Sequence, residues 1–193
     1  MKKIFLLFTV LFCISISCNK DNGSNGNPDP CANISCKNGG KCINGSCDCP
    51  IQWTGPDCSK QKTPIKIFIK QIDVTKFPPT DTNGSGWDLT SGADIFPIFY
   101  EGNTKLWEST TNYTDANSAL VYTFTPKTPI TITKPFEKHT FELYDYDDIG
   151  ANDYMGGIEF TPYSDTNGFP ATRVLSCSNC NTSFKIYLEY QWQ

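Results

Sequence analysis

The sequence predicts an all-β protein, a small disulfide-rich module followed by an antiparallel β-sandwich. Three observations lead there. Six of the ten cysteines fall between Cys31 and Cys58. From Thr63 onward, short segments rich in β-branched and aromatic residues alternate with Gly, Pro and Asn turn signals. No window of helical length carries a convincing 3.6-residue apolar period. The 193 residues suit one ordinary domain plus a small module. Acids outnumber bases by 20 to 16, so the basic footprint of a nucleic-acid binder is missing and no such partner is expected. Charged residues at 19% and aromatics at 13% argue against general disorder. A single histidine, His139, nearly excludes His-based triads and His-rich metal sites.

Residues 1–17 read as a signal peptide. Lys2 and Lys3 precede an apolar run from Ile4 to Ile16, thirteen residues long. A membrane span needs about 20 residues. Early positive charge, a short apolar stretch and small residues before a cut are the marks of a secretory signal. Ser15-Ile16-Ser17-Cys18 resembles a bacterial lipoprotein signal, with Ser15 where that family prefers Leu. The resemblance implies diacylglycerol attached to Cys18, and multiple acyl chains anchor stably where one is marginal. Residues 18–30 contain no apolar side chain to bury after Cys18 and form a flexible tether. A polar start with Lys20 and Asp21 resembles the surface-export signals of Bacteroidetes lipoproteins. It implies an outer-membrane lipoprotein exposed at the cell surface.

Residues 31–58 carry the spacing Cys31-x4-Cys36-x5-Cys42-x4-Cys47-x-Cys49-x8-Cys58. So short a segment cannot bury enough apolar surface to fold unaided, and covalent staples are needed. Secretion supplies the oxidising compartment, while zinc thiolate sites favour reducing ones. Spacing alone leaves about 15 pairings open for six cysteines. Asn38-Gly39-Gly40 before Cys42, the lone Asp48 between Cys47 and Cys49, and Trp53-Thr54-Gly55-Pro56-Asp57-Cys58 resemble the epidermal growth factor-like (EGF-like) domain. The resemblance implies the pairs Cys31–Cys42, Cys36–Cys47 and Cys49–Cys58, with two small hairpins. Some members bind calcium through acids before the first cysteine. Pro30 stands where Glu or Gln is expected, so no calcium is assigned to this module. Spacing is its default role, with protein contact the other.

Residues 64–191 are the predicted sandwich. Ile65, Ile67 and Ile69 alternate with Lys66, Phe68 and Lys70. Further strands are expected over Ile95–Tyr100, Ala119–Thr125, Ile130–Thr133, Thr140–Tyr144, Gly157–Thr161 and Phe184–Tyr190. Pro78-Pro79, Asn83-Gly84, Asn103 and Asn167-Gly168 punctuate them. Many short strands between such turns favour two packed sheets.

Two acidic loops carry the chemistry. One runs from Trp87 through Asp88 and Asp94 to Pro97. The other runs from Leu143 through Asp145, Asp147, Asp148 and Asp153 to Gly156. Calcium takes about 6–8 oxygen ligands, more than one loop easily supplies. An EF-hand reading fails, because Ile149 sits at a ligand position and Gly156 where the bidentate Glu is required. The loops instead resemble the calcium-binding C-two (C2) domain of protein kinase C and the synaptotagmins. Asp145-x-Asp147-x5-Asp153 followed by Tyr154-Met155-Gly156 reproduces one family loop. Asp88 and Asp94, six apart and leading into a strand, reproduce the other. The resemblance implies an eight-stranded antiparallel sandwich with calcium at one end. Its ligands would be Asp88, Asp94, Asp145, Asp147 and Asp153, completed by the backbone carbonyls of Trp87 and Tyr146. Independently of any family, Asp also favours turns, which is the plain reading of each acid alone.

Cys177-Ser178-Asn179-Cys180 lacks the helix N-terminus that lowers a thiol pKa, and reads as a structural bridge Cys177–Cys180 in a turn. His139, within Lys138-His139-Thr140, reads as a surface strand residue. No nucleophile elbow, phosphate loop or zinc-protease motif occurs. The expectation is therefore a non-enzymatic, lipid-anchored surface protein. Its head would bind calcium and, through it, a lipid, glycan or protein surface. Leu89 and Ile149 lie between the acids and would dip into an interface. Two rivals remain open: calcium that only rigidifies an adhesion head, and a hydrolase using acids in the same cleft.

Overall fold

The structure is a computed structural model and describes residues 28–88 and 91–193. The signal peptide 1–17, Cys18, the tether as far as Asn27, and Leu89 lie outside the described residues. Every regular element among the described residues is a β-strand.

The module consists of two small hairpins. Strands β1 (Lys41–Ile43) and β2 (Ser46–Asp48) pair antiparallel around Asn44-Gly45. Both turn residues have positive φ, 51° and 85°, as a two-residue hairpin turn requires. Strands β3 (Trp53–Thr54) and β4 (Lys60–Gln61) form the second. Cys31 is bonded to Cys42, Cys36 to Cys47 and Cys49 to Cys58. Gly40 sits at the crowded centre. A Cβ there would lie 2.6 Å from Cys58 Sγ and 3.1 Å from Cys36 Cβ. Gly40→Ala should therefore block closure of Cys49–Cys58, and disulfide mapping by mass spectrometry should find scrambled or free cysteines in the secreted variant.

The sandwich has two sheets. One holds β5 (Lys66–Lys76), β9 (Tyr122–Phe124), β10 (Ile130–Ile132), β13 (Thr172–Leu175) and β14 (Ser183–Gln191). The other holds β6 (Ala93–Glu101), β7 (Thr104–Glu108), β8 (Tyr113–Ala116), β11 (His139–Asp145) and β12 (Asp153–Phe160). β7 and β8 pair successive stretches of β6, and β9 and β10 successive stretches of β5. The ten segments thus trace eight strand lines, four to a sheet, all antiparallel. Burial alternates along β11 and over much of β5 and β14, while β6 is buried on both faces from Ile95 to Phe99. Phe99, Phe141 and Phe184 are fully buried, and their rings cross the layer at centroid distances of 4.5 and 5.3 Å.

Pro97 explains the broken edge. It lies in the central strand β6, where proline removes a ladder donor. Its carbonyl accepts from the Ser109 N–H at 3.0 Å, on the side where β7 has ended and β8 has not begun. The missing N–H thus faces the interruption. Such short, interrupted edges also resist strand addition from other chains.

Two expectations need correction. His139 is fully buried, not a surface residue. It faces inward on β11, stacked on Phe99 at 5.4 Å, with Nδ1 3.0 Å from the Glu137 carbonyl. The strand expected over Ala119–Thr125 shortens to β9, because Leu120 N–H closes a turn on the Asn117 carbonyl. Strands β7, β8 and β13 are not anticipated by the sequence pattern. All three are short edges with mostly exposed side chains.

The module packs at one end of the sandwich. Trp53 meets Phe169 edge-on at 5.8 Å, and the Tyr163 hydroxyl donates to the Lys62 carbonyl at 3.3 Å. Ile65 N–H reaches the Gln191 carbonyl, joining the linker to the last strand. This is the end where β5 begins and β14 finishes.

Candidate metal centre

Register builds the opposite end. Asp145 closes β11 and is paired with Ile95 on one side and Asp153 on the other. Asp94, next to Ile95 and second in β6, therefore lies beside Asp145, and Asp153 starts β12. A bulge between Leu143 and Tyr144 is accommodated at Met155 and Gly156, turning the first residues of β12 relative to the rest of the strand. Gly156 has φ of 139° there.

Ligand oxygens of Asp88, Asp145 and Asp147 all lie within 4.8 Å of one another. Asp145 is fully buried. Its Oδ1 accepts the Asp94 N–H, while its Oδ2 is buried with no hydrogen-bond partner among the described residues. A carboxylate oxygen hidden from water and left unpaired is costly unless a cation meets it. Burial pushes the Asp145 pKa up from 3.8 to about 6, the Asp94 N–H opposes this, and the charges of Asp88, Asp147 and Asp94 add to the rise. Asp147 is raised too, chiefly by burial, then by Asp153 and Asp88. The donor set is all oxygen, which suits a hard divalent ion such as calcium.

The other expected ligands have different placements. Asp94 turns Oδ1 to the Asp115 N–H at 3.0 Å, and its carbonyl accepts from Tyr146 N–H at 2.8 Å. Asp153 acts on Asp147 through its charge but is not among the three converging carboxylates. Trp87 is half-buried and donates its indole N–H to the Pro78 carbonyl at 2.8 Å. Tyr146 follows Asp145 directly, so its backbone borders the acids, while its ring is 43% exposed. Asp88 is steadied by the Ser91 hydroxyl at 2.8 Å. The bridge Cys177–Cys180 is formed, in the loop between β13 and β14 at this same end.

Four residues escape the sequence reading. Asp115, with φ of 52°, accepts the Gly92 N–H and so clips the first acidic loop to β8. Asn152 Oδ1 accepts the Asp147 N–H at 3.1 Å. Leu120 and Val121, 56% and 60% exposed, join Ile149, 95% exposed, around the acidic end. A lone Asp in a polar stretch and a short turn carry no spacing signal. Exposed apolar residues cannot be told from core residues before the strands are placed.

Residues 30–58 match the family model of the EGF-like domain. No curated protein matches the chain. Among solved structures, similarity is found to a C2 domain at 15% identity, covering 65% of this chain and 97% of that one, with a TM-score of 0.46. A C2 domain of plant extended synaptotagmin 1 is 16% identical, covering 68% of this chain and 98% of that one, TM-score 0.43. The calcium-bound pair of C2 domains of extended synaptotagmin 2 is 17% identical, covering 67% of this chain and 46% of that one, TM-score 0.40.

Proposed function

We propose that the chain is a non-enzymatic, lipid-anchored protein of the outer-membrane surface. Its sandwich head takes up calcium between two acidic loops and uses them for calcium-dependent binding to a lipid, glycan or protein surface. One observation carries the reading: three carboxylates meet within 4.8 Å while one buried oxygen among them, Asp145 Oδ2, has no protein partner among the described residues. A bound calcium ion would supply positive charge that relieves this repulsion. Asp88, Asp145 and Asp147 would hold it, with Asn152 and Ser91 keeping the second and first loops in place. Exposed Leu120, Val121 and Ile149 give the same end an apolar rim for contact with a surface. Asp148 adds charge of the wrong sign for a strongly anionic bilayer.

Calorimetric titration of the protein with calcium should give saturable heat, and Asp147→Asn should reduce or abolish it. Identical heats in wild type and variant remove the proposed site. Co-sedimentation with neutral liposomes in calcium but not in chelator separates a binding head from one that calcium only rigidifies. Cys18→Ser should release the protein from the membrane fraction, as immunoblotting of fractionated cells would show. Retention of the variant in that fraction argues against the anchor.

A further inference from the structure

Between β7 and β8 the edge ladder opens opposite Phe96 and Pro97, and beyond the Ser109 N–H bond to the Pro97 carbonyl the segment Thr110–Asn112 has no ladder pairing with β6. A cleft of about 360 Å³ results, within the range of about 300–1,000 Å³ common for small-molecule sites. Phe96 lies at its base. Tyr146 stands edge-on to Phe96 at 6.3 Å and forms one wall with Asn152. Thr110 and Asn112 form the opposite wall. The one charged lining residue, Glu108, is ion-paired with Lys105, so the cleft presents no free cation to a phosphate or sulfate among the described residues.

Two aromatic rings beside amides and hydroxyls suit a ligand with an apolar face and a polar edge. Asn152 uses its Oδ1 on the Asp147 N–H, which leaves its amide NH2 as a donor. Asn112 on the facing wall offers both donor and acceptor. Adjacent hydroxyls of a sugar ring require such a mixed pair, while the ring's C–H face packs on an aromatic face. We propose that this cleft binds one neutral saccharide unit, stacked on Tyr146 and hydrogen-bonded by Asn112, Asn152 and Thr110. The proposal goes beyond the calcium reading, because the Tyr146 ring and Asn112 are separate from the converging carboxylates.

Saturation-transfer NMR of the protein with the methyl glycosides of glucose, mannose, galactose and N-acetylglucosamine tests it, in calcium and in chelator. At least one glycoside should receive transfer. Tyr146→Ala and Asn112→Ala should each weaken binding by about tenfold, while Tyr146→Phe keeps it. Melting temperature should match wild type in all three variants, and calcium heats should match it in Asn112→Ala. Absence of transfer from every glycoside, or unchanged transfer in both alanine variants, overturns the proposal. Intact transfer without any calcium heat would overturn the calcium reading alone.

Discussion

Asp145→Asn should raise the melting temperature of the calcium-free protein and abolish its stabilisation by calcium. The two effects share one cause. Asp145 is fully buried, with one oxygen on the Asp94 N–H and the other unpartnered beside Asp88 and Asp147. Its pKa stands near 6 in the folded chain, raised first by burial. An unfolded Asp titrates near 3.9. Folding therefore favours the protonated form, and the cost of ionisation is fully present above pH 6. It is relieved as pH falls through 6 toward 4. A difference of about two pH units corresponds to about 3 kcal/mol. Asn keeps an acceptor for the Asp94 N–H and turns a donor toward the remaining acids. Differential scanning calorimetry at pH 7.5 should show the variant melting about 10 °C higher without calcium. Wild type should gain stability on moving from pH 7.5 to pH 5 in chelator, and the variant should gain less. Added calcium should stabilise only wild type, by about 2.7 kcal/mol at a hundredfold excess over its dissociation constant. A variant that melts lower than wild type in chelator would show that Asp145 is not a strained charge.

Gly156→Ala should be among the most damaging single substitutions in the sandwich. Its φ of 139° is one that a side chain rarely adopts, and an added Cβ would lie 2.2 Å from Thr182 Oγ1. Thr182 is buried and cannot swing out to water. Strain at such a backbone angle costs about 1–3 kcal/mol, and overpacking a buried contact adds about 1–3 kcal/mol. Thermal or urea denaturation should register the loss. The consequence for the site follows from position. Gly156 is where the bulge turns β12, so relaxing it moves Asp153 and Tyr154 and should weaken calcium heats as well. Thr182→Ala removes the hydroxyl in the way, so the double variant should recover part of the stability and leave the backbone strain. Full recovery would show that φ contributes nothing, and no recovery that the clash contributes nothing.

The central strands are legible in the sequence because alternation survives wherever one face is buried. β11 and much of β5 and β14 have that property, whereas β6, buried on both faces from Ile95 to Phe99, is legible as a short apolar run instead. β7, β8 and β13 lack it, since an edge strand with few inward side chains writes no period. His139 is misread for a related reason. Between Lys138 and Thr140 it has polar neighbours on both sides, yet strand parity turns it inward with Phe141 and Leu143. At the acidic end, spacing alone reveals two loops rich in Asp. Which carboxylates meet depends on hydrogen bonds that spacing does not encode. Asp94 turns to the Asp115 N–H, and Asp115 belongs to a stretch with no acidic pattern. The EGF-like module is the most readable part, since Asn38-Gly39-Gly40, the lone Asp48 and the run Trp53 to Cys58 carry a family resemblance that implies the three pairs found, which spacing alone leaves open.

The packing of Trp53 on Phe169 places the small module at the pole opposite the Asp loops. Eleven residues of β5 run between those poles, a length of about 36 Å at the usual strand rise. A ligand held among the acids therefore sits a full strand length from the module, too far for one small molecule to touch both, and a change in the module can reach that site only through the length of the sandwich.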